Sequence, residues 1–315
     1  MVSYLLLFIS GLLLLYIGAE GLVRGSSRIA RLLGIRPIII GVTVVAFGTS
    51  SPEACVSLTA VLKKAESIAL GNIIGSNIAN IGLILGLSAL ISPLKVESSI
   101  LRKELPIMIA ASLLLYLMAL DGEITFFDGL ILLLGILAFI GFCYFPTPKR
   151  PSSDEEVAKG LTVIKKNSGS LWKNIAFVLL GLFSLIGGAH LIVTAALFVA
   201  HAFGVSELVI GLSMVAIGTS LPELAISLVS SYRKQPEICI GNAVGSNLFN
   251  ILFVVGTMAM ITPLSIDEGV LKFQFPFMLL FTVAIFPLMK TGGTLSRKEG
   301  VFLLVGYLAF IALLF

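Results

Sequence analysis

The same polar signature occurs twice in this chain, at one offset, inside apolar sequence. Residues 40–53 read IGVTVVAFGTSSPE and residues 210–223 read IGLSMVAIGTSLPE, identical at nine of fourteen positions. Residues 71–81 (GNIIGSNIANI) and 241–251 (GNAVGSNLFNI) agree at seven of eleven. Both matches hold at a separation of 170 residues with no gap. A repeat of this kind makes the chain a doubled unit, so a fold is admissible only if both halves can adopt it.

Each half is a succession of apolar runs. Of the 315 residues 57% are hydrophobic and 12% charged, with a mean hydropathy of +1.09. Soluble domains carry about 25% charged residues, and a bilayer core takes about 20 apolar residues per helix. Runs of that kind fall near 3–23, 37–62, 66–92, 104–120 and 126–146, then 172–195, 206–230, 237–262, 270–289 and 299–315. The expected fold is an all-α membrane protein of ten transmembrane helices, in two five-helix repeats over 1–146 and 172–315. Residues 147–171, rich in Pro, Ser, Lys and Glu, read as a flexible cytoplasmic linker. The first run has no basic residue before it and no small-residue cleavage site, so it reads as a retained helix rather than a signal peptide. Cys55, Cys143 and Cys239 lie in apolar runs without metal-ligand spacing, as packing residues do.

Five is odd, so the second repeat must enter the membrane upside down relative to the first. The basic residues agree: with both termini on one face, 18 of the 21 Lys and Arg fall on the other, and only Lys63, Lys64 and Lys272 stay on the terminal face. The positive-inside rule then puts the linker in the cytoplasm and both termini outside a multi-pass cell-membrane protein. The formal charge of +4 therefore orients the chain in a lipid bilayer and argues for no nucleic acid.

Pro, Gly and polar residues in mid-membrane are costly unless the freed backbone groups face protein or a cavity. Here they concentrate in Gly48-Thr49-Ser50-Ser51-Pro52-Glu53 and its copy Gly218-Thr219-Ser220-Leu221-Pro222-Glu223. A proline suits the first turn of a helix, so each motif reads as a broken core helix, with free carbonyls where one half ends and a carboxylate where the next begins. In the following helix Asn72, Ser76 and Asn80 lie at i, i+4 and i+8, on one face; Asn242, Ser246 and Asn250 repeat the pattern. Inverted repeats bring such segments together near the midplane, the usual place for a transporter site.

That constellation offers two carboxylates, hydroxyls, amide oxygens and carbonyls, with no His or Cys. An all-oxygen shell suits hard cations. Calcium takes six to eight oxygens in irregular geometry, whereas magnesium demands an octahedron and resists dehydration. One divalent ion, or two protons, would neutralise Glu53 and Glu223. Polar interhelical packing could explain either motif alone, but a mid-membrane glutamate in both copies favours function. Glu20, and His190 at its offset position, read as interface packing, although His could titrate near neutral pH. Asp121, Glu123, Glu207 and His201 fall near helix ends. An intramembrane protease would need a nucleophile–base pair or paired aspartates, and a passive channel would typically ring such oxygens from identical subunits. No enzyme activity and no resident cofactor are expected.

At these residues the chain resembles the calcium/cation antiporter superfamily of sodium/calcium and calcium/proton exchangers. The paired GTSxPE and GNxxGSNxxN segments look like its two alpha-repeats, and the layout matches over essentially the whole chain. The resemblance implies a core of the second, third, seventh and eighth helices, with Glu53 and Glu223 as central calcium ligands and the Thr49 and Thr219 carbonyls completing the shell. It also implies flanking monovalent-ion sites at Ser50, Ser76, Ser220 and Ser246 with the carbonyls of Ala46 and Ala216, amide positions at Asn80 and Asn250, and peripheral first and sixth helices that slide against the core. Several sodium-coupled relatives carry Asp where this chain has Asn250. With two acidic groups, exchange of one calcium for two protons balances charge most simply, so a prokaryotic calcium/proton exchanger is the expectation and sodium/calcium exchange the alternative. Oligomeric state, stoichiometry and direction are not readable from the chain.

Overall fold

The computed structural model describes residues 2–144, 170–202 and 218–314. Apart from four two-residue strands, its regular structure is helical. In the first half these helices are α1 (Val2–Leu33), α2 (Pro37–Thr49), α3 (Ser51–Leu62), α4 (Glu66–Ile91), the short α5 (Ser98–Arg102), α6 (Glu104–Ala119) and α7 (Phe126–Tyr144). The second half supplies α8 (Leu171–Ala202), α9 (Leu221–Tyr232), α10 (Pro236–Ile261), α11 (Phe275–Lys290) and α12 (Arg297–Leu314). Most of the expected linker, part of the expected span 206–230, Glu207 and Ala216 lie outside the described residues.

Among the described residues six helices are long and apolar enough to cross a membrane, or seven if α2 and α3, bent by 44°, form one span. Two further expected spans are shorter or more polar: α6 has 16 residues, and α12 has 18 and opens on Arg297, Lys298 and Glu299. At a rise of 1.5 Å per residue, α6 covers about 24 Å.

The first helix differs from the expected 3–23. Arg24, Arg28 and Arg31 end the apolar window at Val23, but the buried face continues through Ser26, Ser27 and Ala30. Packing therefore carries the helix to Leu33 where hydropathy alone stops it. Neighbouring α8 likewise runs past 195 to Ala202.

Two glycine pairs set the α1–α8 distance. A Cβ built on Gly18 would lie 2.7 Å from the Gly181 carbonyl oxygen, and one on Gly11 2.8 Å from that of Gly188. Small residues permit this backbone approach in membranes.

The helices around the doubled motifs form the most buried part of the chain: the apolar window of α10 is 94% buried and that of α4 78%, against 33% for α1 and α8. α7 and α12 begin with matching caps. Thr125 and Asp128 exchange backbone and side-chain hydrogen bonds, as do Ser296 and Glu299, satisfying first-turn N–H groups. The cap engages Asp128, and the exposed Asp121 accepts only the Glu123 N–H among the described residues.

Loops from opposite halves are tied by two small antiparallel ribbons, where hydropathy predicts only connections between spans. β1 (Leu94–Lys95) pairs with β4 (Thr294–Leu295), and β2 (Glu123–Ile124) with β3 (Leu264–Ser265). β3 lies 170 positions after β1 and β4 about 170 after β2, so the two ribbons repeat one contact with the halves exchanged.

Candidate functional site

Pro52 sits in the first turn of α3 and Pro222 in that of α9. Neither has an N–H to give to the carbonyl four residues back, so the helical ladder is interrupted there. Ser50 (φ −82°, ψ 3°) and Ser220 (φ −86°, ψ 2°) take up the break with nearly the same backbone conformation. One residue after each proline comes the glutamate, and Glu53 and Glu223 are each only 1% exposed.

Each carboxylate is received by the other motif. The Ser50 hydroxyl donates to Glu223 Oε1 (2.9 Å), and the Ser220 hydroxyl to Glu53 Oε1 (3.0 Å). Thr219 also interacts with Glu53, and Thr49 with Glu223. The Ser220 hydroxyl oxygen also lies 3.2 Å from Ser76 Oγ, whose hydroxyl can donate to it, bringing α4 into contact with the Glu53 carboxylate's partner. Thr49 donates to Asn242 Oδ1 (3.1 Å), and Asn242 Nδ2 reaches the Glu223 carbonyl (3.3 Å) and Ser227 Oγ (3.2 Å). The Ala46 carbonyl accepts from the Ser50 N–H (2.9 Å), completing the last turn of α2.

Beside the carboxylates lies an amide cluster. Asn80 Nδ2 donates to Asn247 Oδ1 (2.9 Å), Asn250 Nδ2 to Asn77 Oδ1 (3.1 Å), and Asn247 Nδ2 to the Asn77 carbonyl (3.2 Å). Asn77 and Asn247 were not singled out from sequence, although both stand in the repeated GSN triplet. They fall off the i, i+4, i+8 stripe, and their partners belong to the other half.

These bonds leave a specific remainder. Glu53 Oε2, Glu223 Oε2, Asn80 Oδ1, Asn250 Oδ1 and Ser246 Oγ are buried and have no hydrogen-bond partner among the described residues. A buried polar atom left unsatisfied costs about 1–3 kcal/mol, so each of these oxygens favours an occupant that can engage it. Four are carboxylate or amide oxygens that only accept, and the fifth is a hydroxyl oxygen. Buried oxygen acceptors from both halves, two of them carboxylates, are of the kind that suits a hard cation. The structure thus gathers Ser50 and Thr49 around Glu223, and Ser220, Thr219 and Ser76 around Glu53, and it buries Ser246, Asn80, Asn250 and Ala46, while Ala216 lies outside the described residues.

Elsewhere, Glu20 pairs with Arg24 and Arg233, and His190 is exposed. The three cysteines are free.

The sodium/calcium exchanger protein family matches residues 3–145 and 173–315. The chain belongs to that family. It is a multi-pass membrane cation antiporter, not an enzyme. The exchanger is 37% identical to the inner membrane protein YrbG of Escherichia coli over 98% of this chain and 96% of YrbG. It is 32% identical to the sodium/calcium exchanger MaX1 of Methanosarcina acetivorans over 100% and 99%. Its fold matches a solved structure of the sodium-calcium exchanger NCX_Mj with a TM-score of 0.86 at 30% identity, covering 100% of this chain and 99% of that one.

Proposed function

We propose that this exchanger moves calcium in antiport with sodium, and that both ions are held between Glu53 and Glu223. The observation that carries the reading is the set of oxygens at the two carboxylates, the two amides and Ser246 that are buried and without a partner among the described residues. Calcium matches two carboxylates in charge and needs the additional neutral oxygens to fill its shell. In this reading the Thr49 and Thr219 carbonyls contribute to the calcium shell. Ser50, Ser76, Ser220, Ser246, Asn80 and Asn250, with the Ala46 and Ala216 carbonyls, lie around flanking monovalent positions.

The counter-ion is where charge and geometry pull apart. Two protons would neutralise two carboxylates with no other ligand, the balance that the amide at position 250 suggests from sequence alone. Protons on Glu53 and Glu223, however, would leave Asn80 Oδ1 and Asn250 Oδ1 without a partner. Sodium would engage them. The relative named a sodium/calcium exchanger, matched over nearly its whole length, and the fold match to another support this choice, and calcium/proton exchange is the second reading.

The reading includes ten spans in two inverted repeats, 1–146 and 172–315, joined by a cytoplasmic linker with both termini outside. It is supported by the charge distribution, by the family match in two segments flanking 146–172, and by the exchanged-halves pattern of ribbons and Ser–Glu contacts. Alternating access then carries the neutralised site across the apolar barrier, with α1 and α8 moving against the core. An ion drives such a change only through a difference in affinity between the two states. Proteoliposomes loaded with calcium and given an inward sodium gradient at constant pH should release calcium. Release driven by a proton gradient alone would select the second reading, and release indifferent to any opposing gradient would make the protein a channel.

A further inference from the structure

Away from the carboxylates, on the membrane face to which most of the basic residues were assigned, four arginines converge on one hollow. A cavity of about 210 Å³ is lined by Arg24, Arg28 and Arg31 of α1, with Ser27, and by Arg233 and Gln235 from the turn after α9. The three α1 arginines are spaced i, i+4, i+7 and so share a helix face. Glu20 is the acid that pairs with Arg24 and Arg233. Arg31 donates only to the Ser27 carbonyl (3.2 Å), and Arg28 has no hydrogen bond or ion pair among the described residues. The two elements already touch here, since the Ser27 hydroxyl donates to Gln235 Oε1 (2.5 Å).

We propose that this cavity binds a phosphate-bearing anion, held by Arg28 and Arg31 with Arg233 opposite. Guanidinium groups bind phosphate oxygens in bidentate pairs, which ammonium groups do not. A basic face placed only to orient the chain needs no convergence, and its charges would be solvated separately. The positions 170 residues away carry Thr194, Phe198 and His201 for the three α1 arginines and Lys63 for Arg233, so the repeat does not require the cluster. An adjoining hollow contains Glu237, which places the anion on the Arg28 side. Because α1 and the α9–α10 turn each supply ligands, an occupied site ties the peripheral helix to the core. The anion is either the headgroup of an anionic phospholipid from that leaflet or a soluble phosphate.

The full-length chain is purified in neutral detergent, and retention of phosphatidylglycerol against phosphatidylcholine is read by native mass spectrometry, with inorganic phosphate as competitor. Wild type should retain phosphatidylglycerol selectively, and the Arg28→Gln/Arg31→Gln double variant should lose about tenfold or more of that retention. The Lys95→Gln/Lys298→Gln variant, with equal charge removed from the same assigned face, should retain it. Displacement by millimolar phosphate, or arginine-dependent phosphate binding without lipid retention, assigns the site to soluble phosphates. Retention indifferent to Arg28 and Arg31, equal loss in both double variants, or no binding of either probe overturns the proposal. None of these readouts depends on transported ions, so failure here leaves the exchange reading untouched.

Discussion

At the residue scale, the decisive fact is that serine hydroxyls satisfy one oxygen of each buried glutamate while the other has no hydrogen-bond partner among the described residues. Replacing Glu53 or Glu223 by Gln keeps the Oε1 acceptor and the packing but removes a charge and one oxygen of the proposed cation shell. Each single variant should therefore elute as a folded monodisperse protein yet lose calcium transport by at least about a hundredfold, since two lost ligand interactions of about 1.4 kcal/mol each already give that factor. Near-normal flux in either variant rejects the assigned site. Asn250→Asp tests the neighbouring amide: a third carboxylate should strengthen sodium coupling in a sodium-gradient flux assay, and an unchanged sodium dependence would remove Asn250 from the ion path. The glutamates could be picked out from one sequence because a charge in mid-membrane is conspicuous and the repeat supplied a second copy. Asn77 and Asn247 could not, because their role depends on a cross-half bond that spacing within one helix does not encode.

Among the elements, the core helices were legible where hydropathy and proline agreed, and the bend before Pro52 falls where the motif placed it. The length of α1 was not legible, because its last turns are held by a face containing Ser26, Ser27 and Ala30 that no apolar window detects. The ribbons β1–β4 and β2–β3 escaped for a related reason: two-residue strands take their stability from the packed helices and leave no pattern of their own. The α1–α8 contact leads to a separate expectation. Valine at Gly18 would put a Cβ 2.7 Å from the Gly181 carbonyl and 2.9 Å from the Leu185 nitrogen, so the helices must part. No candidate ligand of the transported cations lies on either helix. Calcium affinity measured calorimetrically should then stay within about threefold of wild type while sodium-driven flux falls about tenfold or more. Gly141→Ala, where a Cβ meets nothing within 4 Å, should change neither. A Gly18→Val protein with normal flux would mean that this contact plays no part in transport.

For the whole molecule, orientation and coupling are one problem under the proposed inverted arrangement, in which each side of the membrane would have a related route to the same pair of carboxylates. Of the 21 basic residues 18 are assigned to one face, and at about 1 kcal/mol per Lys or Arg near an anionic leaflet the preference for placing them in the cytoplasm is large. In a variant whose native cysteines are replaced, a single cysteine at residue 3 should react with an impermeant maleimide in intact cells. One at residue 160 should react only after the membrane is opened, and the reverse pattern would invert the topology. Coupling can then be read with the orientation known. If sodium occupies the neutral oxygens beside Glu53 and Glu223, external sodium should drive calcium out of vesicles at fixed and equal pH, and raising external calcium should suppress the sodium effect, because both ions need the same two carboxylates. If protons are the true counter-ion, sodium at equal pH will move nothing while a pH step will. The Asn80→Ala and Asn250→Ala variants sharpen the distinction. Removing amide oxygens should weaken sodium-driven release severalfold more than any proton-driven release, since a proton on a carboxylate makes no use of them.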